Sequence, residues 1–288
     1  MKEKKQSWQV VRKAMLVDFL GEVKTDVSRK DLKNYIKYEM VTVNGKTVTR
    51  ATQEVTAGDE VSLFYQKVVM PEFNLRILYE DKDLIVIDKP GGLLSISNDK
   101  EKEITAFKMV RSYVRKKDPK CFLFDIHRLD QETSGVLMFG KNPAIKEKLQ
   151  ENWNEIVKKR GYWAIVPGTL QKKKGRFASY LKEDRTGRVY SARDKHGKYA
   201  ITNYEVLRSN GKYSLLDVNI ETGRRNQIRV HLSEAGFPIV GDKKYGSKDN
   251  GMGRLALHAY ELDLIDPRNG ELMKFRSERP QEFDEFVR

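Results

Sequence analysis

Four β-forming runs, at residues 162–166, 188–192, 200–207 and 213–220, follow one another with no helical period among them. A chain that strings strands together in this way cannot alternate strand and helix, so the order of elements predicts an α+β fold rather than a doubly wound sheet. Upstream, 77–80 and 84–88 read as strands around the turn Asp81-Lys82-Asp83. Helical spacing appears in three places: 104–116, with Phe107, Val110 and Val114 on one side; from Asn142-Pro143 through Ile145, Leu149, Trp153 and Ile156; and from about Arg225 through Ile228, His231, Leu232 and Ala235 to a stop at Gly236. No internal repeat of fixed period is present.

The N-terminal part has a different organisation. Ser28 with Asp31 three residues on, then Leu32, Tyr35 and Ile36, predicts a short capped helix over 28–36. The run 41–49 is β-forming on both sides of Asn44-Gly45, a strong hairpin signal because both turn residues accept positive φ. A strand at 61–65 follows Gly58-Asp59, and the stretch 66–74 has neither period. The expected domains are therefore 1–70 and 75–288, a division in keeping with a length of 288 residues.

Composition matters here through charge. The chain has 55 Lys+Arg against 41 Asp+Glu, a net +14, of which residues 1–70 hold +4 (13 basic, 9 acidic) and the rest +10. Such an excess points to a polyanionic partner, and either part can meet a phosphate backbone. The runs Lys172-Lys173-Lys174-Gly175-Arg176, Arg115-Lys116-Lys117 and Lys158-Lys159-Arg160 read either as solvated faces or as phosphate contacts. No apolar run is long enough for a membrane helix, and residues 1–10 lack the apolar centre of a secretory signal, so a cytoplasmic protein is expected. The single cysteine, Cys121, beside Phe122-Leu123-Phe124, excludes an internal disulfide and reads as a buried small hydrophobe.

Several chemistries find no support. His127, His196, His231 and His258 are scattered without the four-residue spacing of a metal-binding helix pair, so no metal site is expected. A phosphate-binding Gly-rich loop is missing, and Glu132 stands where a nucleophile elbow before Ser134 needs glycine. The informative stretch is His127-Arg128-Leu129-Asp130-Gln131-Glu132-Thr133-Ser134-Gly135, set between apolar 122–126 and 136–139. Ionisable groups packed between two strand-like runs are costly unless paired or used.

That nonapeptide resembles the signature of the RluA/RluD type of RNA pseudouridine synthases. Further segments resemble the same family in the same order: Leu84 to Pro90, Tyr162 to Gly168, Thr222 to Leu232, Pro238 to Asp242 with Tyr245-Gly246, and Leu255 to Ala259. Residues 12–65 separately resemble the small RNA-binding domain first seen in small-subunit ribosomal protein four, through Ser28-Arg29, Val43-Asn44-Gly45-Lys46 and Gly58-Asp59, with Glu39 in place of a usual glycine. The resemblance implies a pseudouridine synthase domain with an extended mixed, largely antiparallel sheet behind a small α/β RNA-binding domain. It implies an isomerase that needs no cofactor and acts on RNA, ribosomal RNA of the large subunit before tRNA. Asp130 is then the essential aspartate, acting on the ribose or the base, Arg229 its basic partner through bidentate hydrogen bonds, and Tyr162 the aromatic group beside the target base. Arg128 takes the gap left by a flipped uridine, and His127, Arg224, Gln227, Ser28, Arg29, Asn44 and Lys46 are expected RNA contacts. Asn226 and Arg160 depart from the histidine and lysine usual at those places, which bears on substrate contacts. Two rivals remain: a binding or ribosome-assembly factor that keeps the fold without turnover, and a hydrolase or nuclease using His127 and Asp130.

Overall fold

Successive strands, the central ones apolar on both faces, build the larger part of this protein around one sheet. The computed structural model describes residues 4–37, 40–65, 73–96, 104–118, 121–246 and 251–288. Glu39 lies outside them. The chain divides into two compact units, Met1–Val69 and Met70–Arg288.

The N-terminal unit contains β1 (Lys4–Gln9), β2 (Ala14–Met15), α1 (Leu16–Val23), α2 (Arg29–Lys37), β3 (Val41–Val43), β4 (Lys46–Thr47), β5 (Glu54–Val55) and β6 (Glu60–Tyr65). The strands pair as β1-β6-β3-β4 and β2-β5. Their core is Leu16, Leu20, Leu32, Ile36, Val41 and Leu63, all essentially inaccessible. Helix α2 starts where its cap predicts, with Ser28 Oγ accepting from the Asp31 N–H at 3.2 Å. The hairpin turn places Asn44 at φ 49° and Gly45 at φ 75°. Helix α1, which carries no cap signal, was not evident from the sequence; its buried Leu16, Val17, Phe19 and Leu20 hold it through packing.

The second unit runs β7 (Arg76–Glu80), β8 (Leu84–Lys89), α3 (Ala106–Lys117), β9 (Phe124–Asp125), β10 (Ser134–Gly140), α4 (Pro143–Glu151), α5 (Trp153–Ile156), β11 (Val157–Pro167), β12 (Lys174–Glu183), β13 (Val189–Ala192), β14 (Lys198–Ser209), β15 (Tyr213–Ile220), α6 (Gln227–Glu234), β16 (Leu257–Ile265), β17 (Leu272–Arg276) and α7 (Gln281–Phe286). Among the described residues these strands form one eleven-stranded sheet, in the order β13-β12-β14-β15-β11-β16-β10-β8-β7 with β17 on β16 and β9 on β10. All its pairings are antiparallel except β10 with β16, so the sheet is mixed and largely antiparallel.

Two cores meet on one face. Helix α6 packs Ile228 and Leu232 onto Ala164, Val166, Leu216 and Val218, and α3 packs Met109, Val110 and Val114 onto Ile85, Ile87, Leu137 and Phe139. Tyr162 packs against both. The alternate residues Leu84, Val86, Val136 and Met138 join Ile145 and Leu149 of α4 in a further core. All seven residues of β10 are therefore buried.

The helix expected to run from Asn142 to Ile156 is broken at Asn152, whose amide donates to the Lys148 carbonyl at 3.0 Å and closes α4. The basic run 172–176 leads into β12, where Lys174 and Arg176 meet Glu205 and Glu221. Cys121 is half-buried, its thiol set against the Phe122 and Lys141 carbonyls. No helix among the described residues is long and apolar enough to cross a membrane.

Gly135, inside the signature stretch, joins the halves of the sheet. It has φ 113°, and a Cβ there would lie 2.1 Å from the Ala259 carbonyl oxygen, its partner in the short parallel pairing of β10 and β16. Gly135→Ala is expected to destabilise the fold by on the order of 3 kcal/mol, through backbone strain and the forced separation of these strands, measured by denaturant unfolding. A change below about 0.5 kcal/mol is inconsistent with this packing.

Candidate active site

Asp130 lies in the connection from β9 to β10, and its neighbours are tied down on both sides. Leu129 is buried, and Ser95 Oγ both accepts from its N–H at 3.1 Å and donates to its carbonyl at 2.7 Å. The Gln131 carbonyl accepts from Lys89 Nζ at 2.9 Å and from the Gly92 N–H at 3.0 Å, while the Gln131 amide donates to the Gly92 carbonyl at 3.1 Å. Between these anchors the Asp130 carbonyl accepts from the Thr133 N–H, closing a turn. The carboxylate it presents keeps 29% side-chain exposure.

Lys89 makes this clamp possible. It is completely buried, and its three N–H groups go to the carbonyls of Pro90, Leu93 and Gln131 at 3.0, 2.7 and 2.9 Å. Burial pushes the ammonium down to about 7, opposed by the negative charges of Glu132 and Asp130.

Arg229, on α6, is also buried, with 9% side-chain exposure. Its Nε and Nη2 donate to the two oxygens of Asp242 at 2.8 Å each. The remaining nitrogen, Nη1, lies 3.5 Å from Asp130 Oδ2. The bidentate partner of Arg229 is thus Asp242, which corrects the expectation of a fork onto Asp130. Asp242 is fully buried and its Oδ1 also accepts from the Lys244 and Tyr245 N–H groups, so it needs the full guanidinium charge. Tyr245 lies beneath, its ring 5.2 Å from the guanidinium carbon.

A cleft of about 1030 Å³ passes over these groups, with Arg128, Asp130, Arg160, Tyr162, Arg224 and Arg229 among its lining. Tyr162 is half-buried on β11, between Val218 of β15 and Ala259 of β16. Burial pushes its hydroxyl up to about 12, with Arg160 opposing and the Asp130 charge adding, so the phenol is neutral at physiological pH. Arg128 and Arg224 are exposed, Arg224 steadied by Nε donating to the Tyr199 carbonyl at 3.0 Å. Arg160 is half-buried and donates to the Glu221 carbonyl at 2.6 Å.

The remaining expected RNA contacts divide by what their polar atoms already do. His127 lines the cleft, but its ring stacks on Trp153 at 5.3 Å and its Nε2 accepts from the Met138 N–H at 3.1 Å. Gln227 is buried with all four amide positions filled: it donates to Ile201 O and Thr202 Oγ1 and accepts from Thr222 Oγ1 and the Arg224 N–H. In the N-terminal unit Ser28 caps α2, Arg29 pairs with Asp18, and Asn44 bonds Asp59 and the Glu60 N–H at 2.8 Å each, whereas Lys46 is exposed on β4.

Lys89, Ser95, Asp242 and Tyr245 received no role from the sequence. Three of them stand in segments that carry the resemblance, yet nothing in their spacing says what they touch. A smaller pocket of about 530 Å³ holds Asp81, Asp83 and Asp266, and Arg268 pairs with all three. Among the described residues no group of three or more His, Cys, Asp or Glu is arranged to hold a metal ion.

Comparison with known proteins gives a consistent result. Residues 83–234 match the family profile described as RNA pseudouridylate synthase. An uncharacterized RNA pseudouridine synthase of Bacillus subtilis (strain 168) is 31% identical over 268 residues, covering 91% of this chain and 88% of the relative. Ribosomal large subunit pseudouridine synthase D of Yersinia pestis is 30% identical over 289 residues, 93% of this chain and 88% of the relative. The structure of human RNA pseudouridylate synthase domain containing 4 superposes with TM-score 0.60 at 25% identity, over 73% of this chain and 90% of that one.

The buried histidines give the site a pH limit. Burial, with the nearby charge of Arg160, pushes His127 down to about 4; burial, with Arg254, pushes His258 down to about 3; burial also lowers His231. The unfolded chain, with ordinary histidines near 6.5, binds more protons than the folded one between those values. Stability is therefore full above about pH 6.5 and falls as the pH drops toward 4. His127→Gln, whose amide oxygen can accept from the Met138 N–H, is expected to flatten that fall in thermal unfolding followed from pH 7 to 4.5. An unchanged pH dependence in the variant counts against a neutral buried imidazole.

Proposed function

This chain belongs to the RNA pseudouridylate synthase family, isomerases of RNA uridines, and we propose that its substrate is a uridine of large-subunit ribosomal RNA, with Asp130 as the reacting carboxylate. The observation that carries the assignment of Asp130 is its setting: a half-exposed carboxylate in a turn pinned at both flanks, opening into a cleft shared with Tyr162 and Arg229. The ribosomal reading draws on relatives named for the large subunit and on the net charge of +14.

In the reaction the C1′–N1 bond breaks, uracil turns, and a C1′–C5 bond forms while C5 loses a proton and N1 gains one. Nothing is oxidised or reduced. Asp130 acts on the ribose, either by attack at C1′ or by removing a ribose proton, and both routes require an ionised carboxylate aimed at the sugar. Arg229, committed to Asp242, contributes a fixed positive charge at 3.5 Å without locking the carboxylate in a fork. Tyr162 offers its ring to the freed base and its neutral hydroxyl to a hydrogen bond while the C5 proton leaves. Arg128 and Arg224 provide exposed guanidinium groups for phosphates and for the gap left by a flipped nucleotide.

Asp130→Asn is expected to abolish pseudouridine formation while RNA affinity stays within about threefold of wild type, since phosphate contacts set affinity. Retained turnover removes Asp130 from the mechanism. Tyr162→Phe keeps the ring and is expected to lower kcat by about 100-fold with little change in KM. Pseudouridine mapping of total RNA with and without the gene decides the target: a position lost from large-subunit ribosomal RNA supports the assignment, and losses confined to tRNA overturn it.

A further inference from the structure

One buried polar side chain that no step above uses lies against the reacting carboxylate. Asn226 is 7% exposed and forms the N-cap of α6, in the left-handed region at φ 53°. Asparagine enters that region more readily than most residues. Its amide is wedged between the Asp130 carboxylate and the Tyr245 hydroxyl.

Two contacts fix which way the amide points. The Val189 N–H donates to the Tyr245 hydroxyl oxygen at 3.1 Å, which leaves the phenol proton to be given to Asn226 Oδ1 at 2.9 Å. That orientation turns Nδ2 toward Asp130, where it donates to Oδ2 at 2.8 Å and Oδ1 at 3.2 Å. The opposite orientation keeps the Tyr245 contact, with Nδ2 donating to the hydroxyl oxygen at 2.9 Å, and gains one long bond from Arg229 at 3.4 Å, but it sets two acceptor oxygens 2.8 Å apart. The loss outweighs the gain, because an amide oxygen held 2.8 Å from a carboxylate oxygen puts a repulsive contact in place of a charge-assisted hydrogen bond.

We infer that Asn226 is the positioning residue of Asp130: a directed chain from the Val189 N–H through the Tyr245 hydroxyl and the Asn226 amide aims the carboxylate at the ribose. The inference rests on the reading of Asp130 as the reacting group. Among the described residues Asn226 supplies the only side-chain hydrogen bond to that carboxylate, since Arg229 Nη1 stands off at 3.5 Å. Tyr245 is buried and belongs to the core that joins α6 to β12–β14, so the far end of the chain is rigid. Arg229 and Asn226 thereby divide the work, one supplying charge and the other direction.

The test compares variants on RNA isolated from cells lacking the gene. Asn226→Gly adopts φ 53° without strain but carries no donor, and its kcat is expected to fall about 100-fold with KM, RNA affinity and melting temperature unchanged. Asn226→His, a residue that also enters the left-handed region and keeps an N–H, is expected to recover most of that loss. Full activity in Asn226→Gly, a histidine variant no better than glycine, or a collapse of RNA affinity and melting temperature along with kcat each overturns the inference. A second measurement does not depend on turnover: the side-chain amide protons of Asn226, followed by ¹⁵N-edited NMR, are expected to shift in Asp130→Ala. No shift overturns the inference and leaves the assignment of Asp130 standing, whereas a wild-type protein inactive on that RNA overturns the assignment and the inference with it.

Discussion

A guanidinium taken out of water has to be matched, and the way Arg229 is matched organises the whole site. Asp242, fully buried, receives two parallel bonds of 2.8 Å from it and two backbone N–H groups besides. Removing either partner of such a pair leaves an uncompensated charge, typically at a cost of about 3–5 kcal/mol. The pair therefore locks α6 to the segment 239–245. With Nε and Nη2 committed, only Nη1 is left to face Asp130. A carboxylate held in the full fork would be well oriented and poorly available; at 3.5 Å Arg229 attracts it without taking both its oxygens.

The turn that carries Asp130 is pinned by another buried basic side chain. Lys89 gives its three N–H groups to three carbonyls, two from the segment after β8 and one from Gln131, so one side chain fixes two loops. Ser95 does the same for Leu129 with a single hydroxyl. The result is a turn whose backbone is rigid while its carboxylate stays half exposed. Such preorganisation is what positions a reacting group at no cost during the reaction.

Much of the fold was legible because it rests on local rules. The hairpin at Asn44-Gly45, the caps at Ser28 and Asn142, and the strands of β8, β14 and β15 each declare themselves through turn chemistry or period. Failures came where tertiary packing overrode the local pattern. Trp153 keeps helical spacing with Leu149, yet the helix ends at Asn152 and the indole stacks on His127. The lysine run at 172–174 keeps its solvated face, although its last residue opens β12 and meets Glu205 across the strands. Asp130, Tyr162 and Arg229 are singled out by resemblance; of the expected RNA contacts, Gln227 in the second unit has its amide filled by the protein's own groups, and Asn44 in the N-terminal unit has its amide engaged by Asp59 and the Glu60 N–H.

The sequence by itself determined the class of the fold, the division near residue 70, the basic character of both parts and the nonapeptide that carries the family resemblance. These follow from period, composition and contiguous pattern, which are properties of neighbours along the chain. Only the tertiary structure decided that Arg229 belongs to Asp242, that Lys89 and Ser95 pin the turn, and that Asn226 meets Asp130. Each of those contacts joins residues brought together by the sheet, and a buried polar atom takes whichever partner the fold brings within about 3 Å, a choice that no spacing in the sequence encodes.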